Sequence, residues 1–198
     1  VARLLDAFDE KCLWEDTLLI VNTDHGFFLA ERDLLGKNIM PLYDELARVP
    51  LFVWDPRHGH QGERRDSLVQ TIDFAPTLLE YFGVEPPAEM QGHAFRPVVQ
   101  DDTPVRQCGL FGYHGGHLNL VTADGWTLFR RPLEERVGDL FHYTLNADAM
   151  RGFLDLESLR EATLYPPFSF TRGMPVLKIP KRDHWTRLQA ANGENPGI

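Results

Sequence analysis

Cysteine is nearly missing from this chain, and its two thiols, Cys12 and Cys108, stand far apart in 198 residues. A disulfide framework is thereby excluded, and free buried thiols are the plainer expectation. Basic charge is also short: 20 lysines and arginines face 29 aspartates and glutamates, for a net charge of −9. Nucleic acid is therefore not an expected partner, because phosphate backbones are met by basic faces. Long apolar runs are lacking too. None approaches the ~20 residues that span a bilayer, although 43% of the chain is hydrophobic and a sizeable core is within reach. There is no internal repeat and no low-complexity tract.

What is present begins with an amphipathic segment. Val1, Leu4, Leu5, Phe8 and Cys12 recur at helical spacing with Asp6, Asp9, Glu10 and Lys11 opposite them, which predicts a helix. Residues 17–23 follow as a strand around Leu18-Leu19-Ile20-Val21, whose continuous apolar character predicts cover on both faces, as in a parallel sheet flanked by helices. Residues 41–48 read as a short helix and Leu51-Phe52-Val53-Trp54 as a second buried strand. The turn-rich stretch 55–66 is a polar connection in which His58 and His60, among Arg57, Arg64 and Arg65, read as solvated loop. Asp73 is a good N-cap for a helix that tolerates Pro76 in its first turn and ends at Gly83. The prolines and polar residues from Pro86 to Pro104 read as a linker, which divides the chain into 1–104 and 105–198. Beyond it, residues 107–112, 117–122 and 126–131 are strand candidates, with Asp124-Gly125 as a hairpin signal, and a small antiparallel sheet is expected. The polar end of the chain, Asn-Gly-Glu-Asn-Pro-Gly, reads as mobile.

The candidate chemistry lies where the first strand runs out into Thr23-Asp24-His25-Gly26. Ligands of open α/β sheets bind at the carboxyl ends of strands. A carboxylate, an imidazole and, further on, Lys37 behind Gly36 are what a cation and a tetrahedral oxyanion together require. An ordinary Asx turn accounts for Asp-His-Gly by itself equally well. In an acidic chain, an anionic substrate has to be drawn in by positive charge concentrated locally. Glu45 and Arg48, at i and i+3, read as an internal ion pair. His114 and His117, bracketing Gly115-Gly116, are candidates for substrate contact or for polar turn residues.

Asp24-His25-Gly26, then Gly36-Lys37, then Tyr43-Asp44-Glu45-Leu46-Ala47-Arg48-Val49-Pro50 ahead of a strand, resembles the C-terminal half of a sulfatase, a family of the alkaline phosphatase superfamily. Val1–Trp14, Val69–Leu79 and Gln91-Gly92 are similar to further family segments in the same order, so the likeness covers residues 1 to about 100. After about residue 105 it rests on Asp139-Leu140-Phe141. The resemblance implies the C-terminal part of an alkaline-phosphatase-like α/β fold, a mixed or parallel sheet sandwich, with a small antiparallel α+β subdomain. It implies Asp24 and His25 as ligands of one divalent cation, calcium first and magnesium, manganese or zinc as alternatives. Many sulfatases have Asn where His25 stands. It implies Lys37 on the sulfate oxygens and a sulfate ester or sulfamate, small molecule or saccharide, as substrate.

Family members also carry a nucleophile, a Cys or Ser oxidised to formylglycine within Cys/Ser-x-Pro-x-Arg, and two further metal-binding aspartates. Cys12 is followed by Leu-Trp-Glu and Cys108 by Gly-Leu-Phe, so neither sits in that motif. The expectation is a C-terminal portion of a larger enzyme, inactive in isolation, with the formylglycine on the missing N-terminal half. The alternatives are a phosphonate monoester or phosphodiester hydrolase of the same superfamily and a non-catalytic domain.

Overall fold

The computed structural model describes residues 1–37, 42–59, 62–112, 118–130, 141–149 and 152–180. They form two compact units. The first is Val1–Gly112 with Asn119–Phe129, and the second is Tyr113–Leu118 with Arg130–Ile198.

The first unit opens with helix α1 (Ala2–Glu10), which buries Phe8 and leaves Val1 and Leu4 exposed, so its apolar stripe is only partly covered. Cys12 lies past the helix in a left-handed conformation, and both thiols are exposed, not buried as expected. Trp14 then packs its ring on Phe8 and Trp54 at 4.7 and 5.4 Å, and its carbonyl accepts from the Trp54 indole N–H at 2.9 Å. That contact fastens α1 to the sheet. Strand β1 (Leu19–Asn22) is followed by the hairpin strands β2 (Phe28–Leu29) and β3 (Leu35–Gly36), helix α2 (Asp44–Ala47) and strand β4 (Leu51–Trp54).

β1 pairs with β4 antiparallel, with Leu19 opposite Trp54 and Asn22 opposite Leu51. The β2–β3 pairing is antiparallel as well, and Leu19, Ile20 and Val21 are half-buried. A continuous apolar run signals burial but does not encode pairing direction, and among the described residues the neighbour of β1 is the antiparallel β4, within the mixed α/β architecture expected.

Helix α3 (Phe74–Tyr81) ends as expected, with Gly83 at φ 68° donating to the Glu80 carbonyl at 3.0 Å. The stretch 86–104 is not a plain linker. It contains helix α4 (Arg96–Asp101), with Pro97 in its first turn, Val98 and the preceding Phe95 buried, and Asp102 at φ 60° closing it. Proline in a first helical turn lacks only an N–H that has no intrahelical partner, so its presence did not exclude a helix.

Strands β5 (Cys108–Gly112), β6 (Leu118–Thr122) and β7 (Thr127–Arg130) form a three-stranded sheet, with Gly125 at φ 90° in the β6–β7 turn. This sheet belongs largely to the first unit, whereas the division at 104/105 assigned it to the second. The reason is a buried polar hub. Asp73 is fully enclosed and accepts from the Gln70 and His93 amides, each at 2.8 Å, and from Arg106 through Nε at 3.0 Å and a second guanidinium nitrogen. Arg106 also donates to Gln70 Oε1 at 2.9 Å, and the Gln70 amide group donates to the Leu110 carbonyl at 2.5 Å. Asp73 therefore ties the start of β5 to α3. It does not act as the side-chain N-cap of α3; its carboxylate reaches back to Gln70 instead.

In the second unit, β8 (Phe141–Thr144) leads to the short pair β9 (Asp148–Ala149) and β10 (Gly152–Phe153). Helix α5 (Leu156–Arg160) is capped by Asp155, which accepts from the Ser158 amide at 2.7 Å. Strands β11 (Thr163–Tyr165) and β12 (Val176–Pro180) complete an antiparallel sheet in the order β11-β12-β8. Among the described residues, no helix is long and apolar enough to cross a membrane. Asp139, Leu140 and the terminal Asn-Gly-Glu-Asn-Pro-Gly run lie outside the described residues.

Candidate functional site

β1 ends at Asn22, and Thr23, Asp24 and His25 occupy the turn beyond it. Alternation along a strand would have sent consecutive side chains to opposite faces. In the turn they converge instead: Asp24 Oδ2 lies 3.3 Å from His25 Nε2, with the Asp24 side chain 81% exposed. The turn is fixed from within, because the His25 amide donates to Asp24 Oδ1 at 3.0 Å and the Thr23 hydroxyl donates to the same oxygen at 3.3 Å. Desolvation pulls the Asp24 carboxyl upward, but donation from the His25 amide, attraction to the adjacent His25 ring and, least of all, the Thr23 hydroxyl hold it below the ordinary aspartate value.

Gly26 is required by close approach. Its N–H donates to the Leu46 carbonyl at 2.9 Å, and a Cβ built on it would lie 1.7 Å from the Glu45 carbonyl oxygen. No side chain fits there.

The tautomer of His25 follows from its contacts. Nδ1 is 2.9 Å from the Gly26 carbonyl, which can only accept, so Nδ1 carries the hydrogen. Nε2 lies 2.9 Å from Lys37 Nζ, an ammonium that can only donate, so in this contact Nε2 is the acceptor. A backbone carbonyl orienting one imidazole nitrogen while the other faces a cation is the usual arrangement of a metal-ligating histidine. Asp24 Oδ2 and the unprotonated Nε2 are both acceptors, and two acceptors 3.3 Å apart are reconciled by a shared positive charge. In this structure the lysine ammonium is the cation at Nε2. The donor set thus fits a divalent ion but does not complete its shell: among the described residues no group of three or more His, Cys, Asp or Glu could hold a metal.

Lys37 reaches His25 because the β2–β3 hairpin brings it there. Phe28 at the start of the hairpin is fully buried, with its ring 6.3 Å from that of Tyr43. The hairpin turn places Ala30, Arg32 and Asp33 at positive φ, a conformation that side-chain-bearing residues keep only when the surroundings hold it. Arg32 supplies part of that hold, lying 4.1 Å over the Tyr43 ring and donating Nε to Glu45 Oε1 at 3.1 Å. Glu45 is therefore paired with Arg32 and not with Arg48, as the i, i+3 spacing had suggested. The single turn of α2 is too short to decide the partner, and a contact 13 residues away in sequence prevails. Residues outside the motif signature give no sequence cue to this contact, so Arg32 was missed.

The remaining histidines divide. His58 is not solvated: its side chain is 12% exposed, Nε2 lies 3.9 Å from Asp55 Oδ2, and among the described residues that nitrogen has no hydrogen-bond partner. It sits beside a buried Asp55 that Arg57 grips through Nε and a terminal nitrogen at 2.6–3.1 Å. His60, His114 and His117 lie outside the described residues.

Fold and site together define an α/β unit that offers a carboxylate, an imidazole and an ammonium at the end of a strand. Comparison with known proteins narrows that class. Residues 30–117 match the family model of the C-terminal region of N-sulphoglucosamine sulphohydrolase. The N-acetylglucosamine-6-O-sulfatase of Bacteroides thetaiotaomicron is 31% identical over 118 residues, 58% of this chain and 21% of that protein. The multifunctional alkaline phosphatase superfamily protein PehA of Trinickia caryophylli is 33% identical over 105 residues, 52% of this chain and 20% of its own length. A solved structure of BT4656 in complex with its substrate D-glucosamine-2-N,6-O-disulfate superposes with TM-score 0.55 and 28% identity, over 62% of this chain and 27% of that one. Over about half its length the chain is thus similar to sulfatases, which are sulfuric ester hydrolases. It spans about a fifth of the length of the curated relatives it matches.

Proposed function

We propose that the chain is the C-terminal portion of a sulfatase that hydrolyses sulfate esters or sulfamates of saccharides. The observation that carries this reading is the convergence of Asp24, His25 and Lys37, with Nε2 of His25 3.3 Å from the carboxylate and 2.9 Å from the ammonium. Asp24 and His25 would hold one divalent cation, calcium first and magnesium, manganese or zinc as alternatives, with the rest of the shell contributed from outside this chain. Such an ion supplies neutralisation of sulfate charge and orientation of the nucleophile. The nucleophile itself, formylglycine in the family resembled, is not encoded in these residues.

The chain's own residues have defined tasks in this scheme. The Gly26 carbonyl keeps the His25 hydrogen on Nδ1 and so keeps Nε2 available. Lys37 gives a compact positive charge that meets a tetrahedral oxyanion without bidentate geometry and stabilises charge on the leaving oxygen. Substrate contact by His114 and His117 belongs to the same proposal. The relatedness of saccharide sulfatases and the disulfated glucosamine bound by BT4656 support a sulfated sugar as the ligand class.

A second reading has its own support. The PehA relative is described as multifunctional within the alkaline phosphatase superfamily, which favours a phosphonate monoester or phosphodiester substrate on the same scaffold. Assaying the full-length protein against sulfated N-acetylglucosamine, aryl sulfates and phenylphosphonate esters separates the two. A kcat/KM preference for sulfate esters supports the first reading, preference for phosphonates the second, and no turnover of either a non-catalytic domain. The 198-residue chain by itself is expected to turn over none of them and to bind divalent cations weakly by calorimetry. Tight binding abolished by Asp24→Ala would show that ligands within this chain complete the shell.

A further inference from the structure

The two halves of the candidate site reach it from different stretches of chain, and both rest on the same residue. Asp24 and His25 are seated through Gly26, whose backbone lies so close to the Glu45 carbonyl that a methyl group could not intervene. Lys37 is seated through the β2–β3 hairpin, whose turn is fastened by Arg32 to the Glu45 carboxylate at 3.1 Å. Glu45 thus meets one half with its main chain and the other with its side chain.

The side-chain contact is not arranged for greatest stability. Among the described residues Arg32 engages Oε1, and Oε2 is buried without a hydrogen-bond partner. A two-pronged pairing would have satisfied both oxygens, and a buried unpaired acceptor carries a desolvation cost. Arg32 is meanwhile kept over the Tyr43 ring at φ 56°, in a turn with two further left-handed residues. Geometry that tolerates both costs is geometry held for its position.

We infer that Glu45 is a positioning residue, which through Arg32 sets the placement of Lys37 against His25. The meaning of that placement for catalysis rests on the proposed sulfatase function, but the placement itself does not.

The test reads Lys37 directly. In the intact protein, lysines are acylated with a limiting amine-reactive ester and counted by peptide mass spectrometry, with Lys178 of the second unit as the internal reference. Arg32→Ala removes a half-exposed side chain and is expected to fold. Arg32→Ala and Glu45→Ala should each raise Lys37 labelling several-fold relative to Lys178, and the double variant should add nothing further. Glu45→Gln, which keeps an oxygen for Arg32 Nε, should return labelling toward the native rate. Unchanged Lys37 labelling in folded variants would overturn the proposal. So would an equal rise at Lys37 and Lys178, the signature of general loosening. A native protein inactive on sulfate esters would remove the catalytic reading and leave the labelling result standing.

Discussion

Two aspartates in the first unit have opposite environments. Asp73 is wholly buried and receives donors from two amides and a guanidinium, while Asp24 leaves its side chain 81% exposed with one oxygen facing an unprotonated imidazole nitrogen. A carboxylate whose acceptor sites are filled by its own chain is a structural fastener. One that is oriented by its neighbours, yet keeps an oxygen open beside a second acceptor, is what the proposed cation site would use. The difference separates a residue that holds this fold from one proposed to serve the site.

The comparison breaks most visibly at Asp73. Asp73→Ala strands Arg106, itself almost buried, and is expected to cost about 3–5 kcal/mol in urea unfolding. A loss under 1 kcal/mol would show that the hub is not what joins β5 to α3. Gly26→Ala comes next. The new methyl collides with the Glu45 carbonyl, and overpacking of this kind costs about 1–3 kcal/mol, read as a fall in the urea midpoint together with altered amide shifts at Asp24 and Leu46.

Asp55 offers a pH-dependent version. Burial raises its pKa, but the Arg57 guanidinium and amide outweigh burial and hold it below the usual 3.8. A folded pKa below the unfolded one means that the pair stabilises above the unfolded value and that this contribution is lost as pH falls through the folded value. Asp55→Asn should therefore lower Tm at pH 7, with the gap to the native protein closing below about pH 4. A gap constant with pH would assign the effect to packing. The smallest effect on folding belongs to Asp24→Ala, an exposed site, where unfolding free energy should change by no more than about 0.5 kcal/mol. A larger loss would move Asp24 to the structural side of the comparison.

Much of this was legible in the residues. Helix α1, the strands at 19–22 and 51–54, the Gly83 stop and the Asp124-Gly125 hairpin follow from periodicity and turn chemistry, which are local. The Asp24–His25–Lys37 trio was legible as a pattern of residue types at a strand end, and the structure brings the three within contact. Contacts distant in sequence were not legible. Arg32 reaches Glu45 across 13 residues, Arg106 reaches Asp73 across 33, and His58 is sheltered beside an ion-paired Asp55. None of these leaves a periodic trace. The antiparallel direction of β1 against β4 was hidden for a similar reason, since an apolar run specifies burial and not its partner. Helix α4 was hidden by Pro97, which reads as a breaker until its place in the first turn is known.

The central claim is that Lys37 works at the anion and not at the surface, and the kinetics of Lys37→Ala in the full-length enzyme on a sulfate ester test it most directly. Loss of one electrostatic donor in a preorganised site costs about 2.7–4 kcal/mol of transition-state stabilisation. The account predicts that kcat/KM falls ~100-fold or more while Tm stays at the native value. Kinetics within about twofold of native, the behaviour of a solvated lysine, would contradict it.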